Sequence, residues 1–320
     1  MKLVVLDAYT VFPATDIHWN AFAALHGVEG LEVYDRTSAD ELMQRIADAD
    51  AVLTNKVKLD AVAISRCPSL KYIGVLATGY NVVDVESARR RGITVTNIPS
   101  YSTMSVAQQV FALLLEATNR VGHYSSVIRD GKWTACPDFS FRDFDMPELA
   151  GKIFGIVGLG NIGSAVASIA AAFGMKIAVT TSKDVSRLPA GYDKVELDDL
   201  FRMADVISLH CPLTPSTYHL VDARRLSLMK RSAILINTSR GPVIDEDALA
   251  VCLLNGGIAA AGVDVLCDEP PRVDNPLLKA PNCVITPHIA WASTEARRRL
   301  FEIACSNFSS FLDGKPINTI

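Results

Sequence analysis

Short apolar runs alternate with helical patterns from the first residues of the chain. KLVVLDA, LEVYD, AVLTN, YIGVLA and ITVTN are brief, rich in Val, Ile and Leu, and read as five buried strands. Between them, Ala39–Asp48 and Val83–Arg91 carry helical spacing. Such alternation predicts a parallel sheet covered on both faces.

The pattern changes after Pro99. Ser105–Arg129 reads as one long helical stretch, with almost no breaker in its first half, and GKWTACPDFSFRDFDMP follows as a looser, aromatic segment. A second series then begins: IFGIVG, KIAVTT, DVISLH, AILINT, IAAAGVDV and CVITP, six strands with crossover helices between them. The most apolar window, Ile162 to Val179, is interrupted by Gly163, Gly174 and Lys176, and reads as a helix and a strand, not a membrane span. A last helical pattern covers Thr294–Leu312. The expected class is α/β, with two doubly wound parallel-sheet domains. Residues 99–290 form the second, inserted into a discontinuous first domain made of residues 1–98 and 291–320.

Between the first strand and helix of the second series lies GLGNIG. Gly158, Gly160 and Gly163 give the G-x-G-x-x-G spacing of a dinucleotide-binding turn. The first glycine permits the tight turn, the second lets backbone approach a pyrophosphate, and the third allows close packing of helix on strand. The helix N-terminus then offers N–H groups and a positive dipole end to the phosphates. At the end of the next strand, Val179-Thr180-Thr181-Ser182-Lys183 lacks the acidic residue that usually pairs with the ribose hydroxyls of NAD. Thr181, Ser182 and Lys183 are able to accept the 2′-phosphate of NADP, and Lys183 is equally a solvated loop lysine. NADP is therefore permitted and NAD is not excluded.

Composition narrows the partners. The 320 residues are 49% hydrophobic and 21% charged, with a net charge of −4, the balance of a globular protein with no overall attraction to nucleic acid or anionic membrane. The basic runs at Arg89-Arg90-Arg91 and Arg297-Arg298-Arg299 sit in helical patterns and read as solvated faces. Seven cysteines, with no C-x-x-C, suggest neither disulfides nor a metal site, and fit reduced thiols in the cytoplasm. The apolar run in MKLVVLDAY is too brief for a secretory leader.

Three further stretches exceed what a bare binding domain requires: NTSRGPVIDEDAL around Arg240, DVLCDEPP around Glu269 and TPHIAWAS around His288. Each follows a predicted strand, where open parallel sheets place their sites. Singly, Arg240 reads as a surface charge, Glu269 as a turn residue and His288 as a satisfied buried histidine. Together they suit carbonyl reduction. Hydride arriving at a carbonyl carbon leaves negative charge on oxygen, so an acid must deliver a proton there. Histidine fits that task near neutral pH, a carboxylate favours its protonated form, and a guanidinium can hold a carboxylate in a fixed orientation.

These stretches, with ATGYNVVD (77–84), GIVGLGNIG (155–163), HCPLTPST (210–217), GVDVLCDEPP (262–271) and PHIA (287–290), resemble the D-isomer-specific 2-hydroxyacid dehydrogenase family over almost the whole chain. HCPLTPST, DVLCDEPP with DNPLL, and HIAWAS are most similar to its bacterial glycerate dehydrogenases, also called hydroxypyruvate reductases. The resemblance implies a Rossmann dinucleotide-binding domain inserted in a flavodoxin-like substrate domain, and reduction of a small 2-keto acid with NAD(P)H. It implies His288 as the acid–base, Glu269 as its partner and Arg240 as the substrate anchor. Thr78 and Gly79 would offer backbone N–H groups to the substrate carboxylate. Asn161 and Ile162 would lie against the pyrophosphate and Cys211 and Pro212 on the adenosine side. Thr238, Ser239 and Asp264 would approach the nicotinamide end, and His288 and Ala290 would bind the cofactor as well. A homodimer through the cofactor domains is implied as well. Trp291 either narrows the pocket or fills the domain junction. A second reading is a corepressor-like binding protein that senses the nicotinamide dinucleotide with little or no turnover.

Overall fold

Val, Ile and Leu at adjacent positions cannot all face one side of a strand, so each apolar run is buried only where helices cover both faces. The computed structural model, which describes residues 1–320, solves this twice. One unit is Met1–Ser102 with Ser293–Ile320, and the other is Thr103–Ala292.

In the first unit the five expected runs become β1 (Lys2–Val5), β2 (Gly30–Val33), β3 (Ala51–Thr54), β4 (Tyr72–Val75) and β5 (Thr94–Thr96). They form a wholly parallel sheet in the order β2-β1-β3-β4-β5. The helix Thr294–Leu312 brings the chain back to this unit and packs on β4, with Phe308 and Phe311 against the buried Tyr72. At the carboxyl ends of β1 and β3, the Asp7 carboxylate accepts the backbone N–H groups of Asn55, Lys56 and Val57. Burial raises its pKa against the pull of those donors.

The second unit contains β6 (Ile153–Val157), β7 (Lys176–Thr180), β8 (Tyr192–Lys194), β9 (Val206–Leu209), β10 (Ile234–Asn237), β11 (Ala260–Val263) and β12 (Cys283–Ile285). The order is β12-β11-β10-β9-β6-β7-β8, again all parallel. β6 pairs with both β7 and β9, so the strand order reverses there. Open sheets bind ligands beyond the carboxyl end of such a strand, and the glycine turn leaves β6 at that end.

Two features depart from the sequence expectation. β8 is a seventh strand of the second series; its Tyr-Asp-Lys sits at the sheet edge and is largely solvated, so it carries no apolar signature. The stretch expected as one helix over 105–129 is two, Thr103–Asn119 and Val121–Arg129. They part at Arg120, whose φ of 49° is left-handed and cannot continue a helix. The first buries Ala107, Val110, Phe111 and Leu114 in its own unit's core, whereas the second buries no residue.

Candidate functional site

The glycine turn shows why each of its glycines is there. Gly158 has φ +93°, and a Cβ on it would stand 2.8 Å from the His210 carbonyl oxygen. A Cβ on Gly163 would collide with the Gly158 carbonyl oxygen. Gly160 has neither reason. It caps the helix Asn161–Ala172 with an ordinary extended backbone, and nothing lies within 4 Å of where its Cβ would be. The open space beside Gly160, at a helix N-terminus without a side-chain cap, fits a group that brings its own anionic oxygens. Asn161 and Ile162 form the first turn of that helix.

Beyond β7 no carboxylate faces this turn from positions 181–183. The Lys183 N–H donates to Thr181 Oγ1 at 3.3 Å, and Lys194 Nζ, reaching from β8, donates to the Lys183 carbonyl at 2.8 Å. Ser182 and Lys183 are exposed. Cys211 and Pro212 follow β9, and burial pushes the Cys211 thiol up, which keeps it protonated.

β10 ends in Asn237, a fully buried amide among apolar neighbours. Its Oδ1 accepts the Ser239 N–H and hydroxyl at 2.9 and 2.8 Å, and its Nδ2 donates to the Arg240 carbonyl at 2.9 Å. Asn237 thus shapes the loop from which the exposed Arg240 guanidinium projects. That guanidinium donates to the Ser239 carbonyl. Thr238, between them, is 9% exposed and its hydroxyl has no partner within the chain. An unsatisfied buried hydroxyl is costly and calls for a polar ligand group. With the space at Gly160, it makes the donor set fit a dinucleotide running from the glycine turn towards β10.

β11 delivers Asp264, only 1% exposed. Its carboxylate accepts the Thr286 hydroxyl at 2.5 Å and the N–H groups of Ile289 and Ala290 at 3.0 and 2.8 Å. Burial raises its pKa, opposed by these donors. The Asp264 carbonyl also accepts the His288 N–H at 2.7 Å. The turn so gripped holds His288 at φ +52°, a left-handed strain that persists only where surroundings impose it. Trp291, expected as pocket wall or filler, donates its indole N–H to the His288 carbonyl at 2.9 Å. The Ala290 carbonyl accepts the Ser105 hydroxyl.

Glu269 and His288 come together. Glu269 Oε2 lies 2.6 Å from His288 Nδ1, while Oε1 accepts the Leu266 N–H at 3.2 Å. With Nδ1 engaged, Nε2 is the nitrogen left to exchange a proton with a ligand. The Arg240 loop reaches this pair through Gly241, where a Cβ would run into the backbone of Leu266. In the first unit, Thr78 and Gly79 follow β4; the Thr78 hydroxyl donates to the Ile98 carbonyl at 2.7 Å and its own carbonyl accepts from Asn97 Nδ2 at 2.8 Å.

Comparison with known proteins decides what this constellation belongs to. The family model described as "D-isomer specific 2-hydroxyacid dehydrogenase, NAD binding domain" matches residues 111–290. A hydroxypyruvate reductase of Blautia hydrogenotrophica is 47% identical over 100% of this chain and 99% of its own length. The chain belongs to the D-isomer-specific 2-hydroxyacid dehydrogenase family. A glycerate dehydrogenase of Methylorubrum extorquens is 39% identical, with 90% of each chain covered. Among solved structures, an acyclic imino acid reductase (Bsp5) in complex with NADPH and D-Arg is 33% identical, with a TM-score of 0.85 and 100% of both chains covered. The protein is therefore an enzyme that uses a nicotinamide cofactor on small 2-keto and 2-hydroxy acids, and this reading is favoured over the dinucleotide-sensing alternative. Membership in the dehydrogenase family also accounts for the two parallel-sheet domains. Asn237 was missed in the sequence, although a polar residue ending the otherwise apolar run ILIN was the available signal.

Proposed function

We propose that this dehydrogenase reduces hydroxypyruvate or glyoxylate to D-glycerate or glycolate. The 2.6 Å bond between Glu269 and His288 Nδ1 carries the reduction, and the likeness to a hydroxypyruvate reductase and a glycerate dehydrogenase supports the choice of substrate. A bound nicotinamide supplies hydride to the carbonyl carbon of the substrate. His288 Nε2 gives its proton to the carbonyl oxygen, so the ketone becomes an alcohol as the imidazolium becomes imidazole. Glu269 engages Nδ1 and orients the ring. Arg240 binds the substrate carboxylate and draws electron density towards the carbonyl oxygen. The same reading assigns the backbone N–H groups of Thr78 and Gly79 to substrate binding.

For the cofactor, Gly158, Gly160, Asn161, Ile162 and Gly163 hold the pyrophosphate, Cys211 and Pro212 border the adenosine, and Thr238 and Ser239 meet the carboxamide end with Asp264 and Ala290. The absence of a carboxylate at Thr181, with Ser182 and Lys183 in the loop and Lys194 of β8 bonded to it, favours acceptance of NADPH. A homodimer is supported by the second unit. Its helix Val121–Arg129 has no fully buried residue, and Val121, Ile128, Trp133 and Phe139 are exposed on or near it. All seven cysteines are free, in keeping with the cytoplasm, and no helix is long and apolar enough to cross a membrane.

The test is initial rates with hydroxypyruvate, glyoxylate, pyruvate and a branched 2-keto acid, each with NADH and NADPH, followed at the nicotinamide absorbance. Highest kcat/KM on hydroxypyruvate or glyoxylate is expected. A clear preference for a bulkier keto acid would overturn the substrate assignment.

A further inference from the structure

Glu246 opens the helix Glu246–Leu254, whose cap is Asp245. A carboxylate in a first turn is favoured by the helix dipole whichever way it points. This one points out of its helix. Oε1 accepts the backbone N–H of Cys267 at 2.6 Å, and Oε2 accepts Nδ2 of Asn275 at 2.8 Å. Cys267 and Asn275 bound the stretch that carries Glu269, and no helix or strand lies between them. Asn275 is not free to turn its amide over, because its Oδ1 accepts the Leu277 N–H at 3.0 Å and caps the turn Pro276–Lys279. One side chain thus pins both ends of an exposed, irregular loop.

The pinning is adjacent to the chemistry. Leu266, whose N–H orients Glu269 Oε1, directly precedes Cys267, whose N–H is held by Glu246. If the Cys267 end were released, the Leu266 peptide would lose its neighbour's anchor. Glu269 would then hold His288 from a loop with one anchor fewer, and the entropy of ordering that loop would count against the pair.

We propose that Glu246 is a positioning residue for proton transfer: by holding the Cys267–Asn275 loop closed, it keeps the Glu269 carboxylate on His288. This rests on the reading that His288 is the proton donor. A purely structural Glu246 would lower thermal stability and leave the protonation behaviour of His288 unmoved. A positioning Glu246 acts through Glu269 alone.

The test is a cycle in the full chain of wild type, Glu246→Ala, Glu269→Gln and the double variant, with Glu246→Gln beside it. The first readout is the pH profile of kcat/KM for hydroxypyruvate reduction. The second is the pH dependence of the His288 ring signals by NMR in the protein without dinucleotide. Glu246→Ala is expected to lower kcat about tenfold or more, with KM for the dinucleotide changed by less than about twofold. It should also move the acidic-form limb to lower pH. In the Glu269→Gln background it should move the limb no further, because the carboxylate it positions is gone. Glu246→Gln, which keeps an acceptor for Cys267, should restore most of the limb's position and serves in place of alanine if that variant does not fold. An unmoved limb, or equal shifts in both backgrounds, overturns the proposal. If wild type turns over no keto acid while the NMR midpoints show this non-additivity, the functional reading fails and the positioning role stands.

Discussion

Glu269 and His288 stand on different loops of the second unit, and Glu269 Oε2 meets His288 Nδ1 at 2.6 Å. Both are partly solvated, with side chains 35% and 27% exposed, so the pair is open to a ligand rather than sealed in a core. On one side Asp264 grips the turn of His288, and on the other Leu266 orients Glu269. The strained φ of His288 is what that grip sustains.

Removal of the imidazole is expected to cost kcat about a hundredfold or more, the usual contribution of a positioned general acid. Steady-state rates of a folded His288→Ala protein check this, and wild-type turnover in it would refute the role. Glu269→Gln keeps shape and removes charge, so the imidazolium loses its favouring anion. The acidic-form limb of the reductive profile should then shift to lower pH. An unchanged limb counts against the pair.

The glycine turn separates fold from binding. Gly163→Ala places a Cβ on the Gly158 carbonyl oxygen, and an overpacking loss of about 1–3 kcal/mol of stability is expected. Gly160→Ala meets open space at an allowed backbone angle, so unliganded stability should change by less than about 0.5 kcal/mol while dinucleotide affinity falls. Urea unfolding and dinucleotide titration of both variants check the contrast. Tight dinucleotide binding by Gly160→Ala would remove that glycine from the pyrophosphate site.

The strands were legible because burial on both faces writes itself as consecutive apolar residues. Where burial is one-sided or absent the signal vanishes, and β8, an edge strand of Tyr-Asp-Lys, went unseen. The break at Arg120 was hidden because a left-handed residue there is an arginine, not the glycine that normally marks one. Arg240, Glu269 and His288 were found by chemistry and resemblance, since spacing along the chain says nothing about which atoms meet. For the same reason Asp7, whose partners lie about fifty residues away, and Glu246 left no trace in local pattern.

Cofactor choice should turn on the loop after β7. Lys183 carries an exposed ammonium beside Thr181 and Ser182. If it meets the 2′-phosphate, Lys183→Ala should raise KM for NADPH several-fold and leave NADH within about twofold, the size expected for one partly solvated charge pair. Equal losses for both dinucleotides would place the lysine in solvent.

His210 predicts a pH signature in stability rather than in rate. It follows β9, its Nε2 lies 2.8 Å from the Ser208 hydroxyl, and burial pulls its pKa down to about 4. An unfolded histidine titrates near 6.5, so between about pH 6.5 and pH 4 the unfolded chain binds a proton that the folded chain refuses. Stability therefore falls as pH is lowered through that window, with this one group contributing a slope of up to about 1.4 kcal/mol per pH unit. Below about pH 4 both states are protonated and the contribution is constant. Urea unfolding of wild type and His210→Gln at intervals from pH 7 to pH 4.5 isolates the effect. Whatever the variant's stability at pH 7, its curve should be shallower in that window. Parallel curves would mean that His210 is solvated enough to titrate normally.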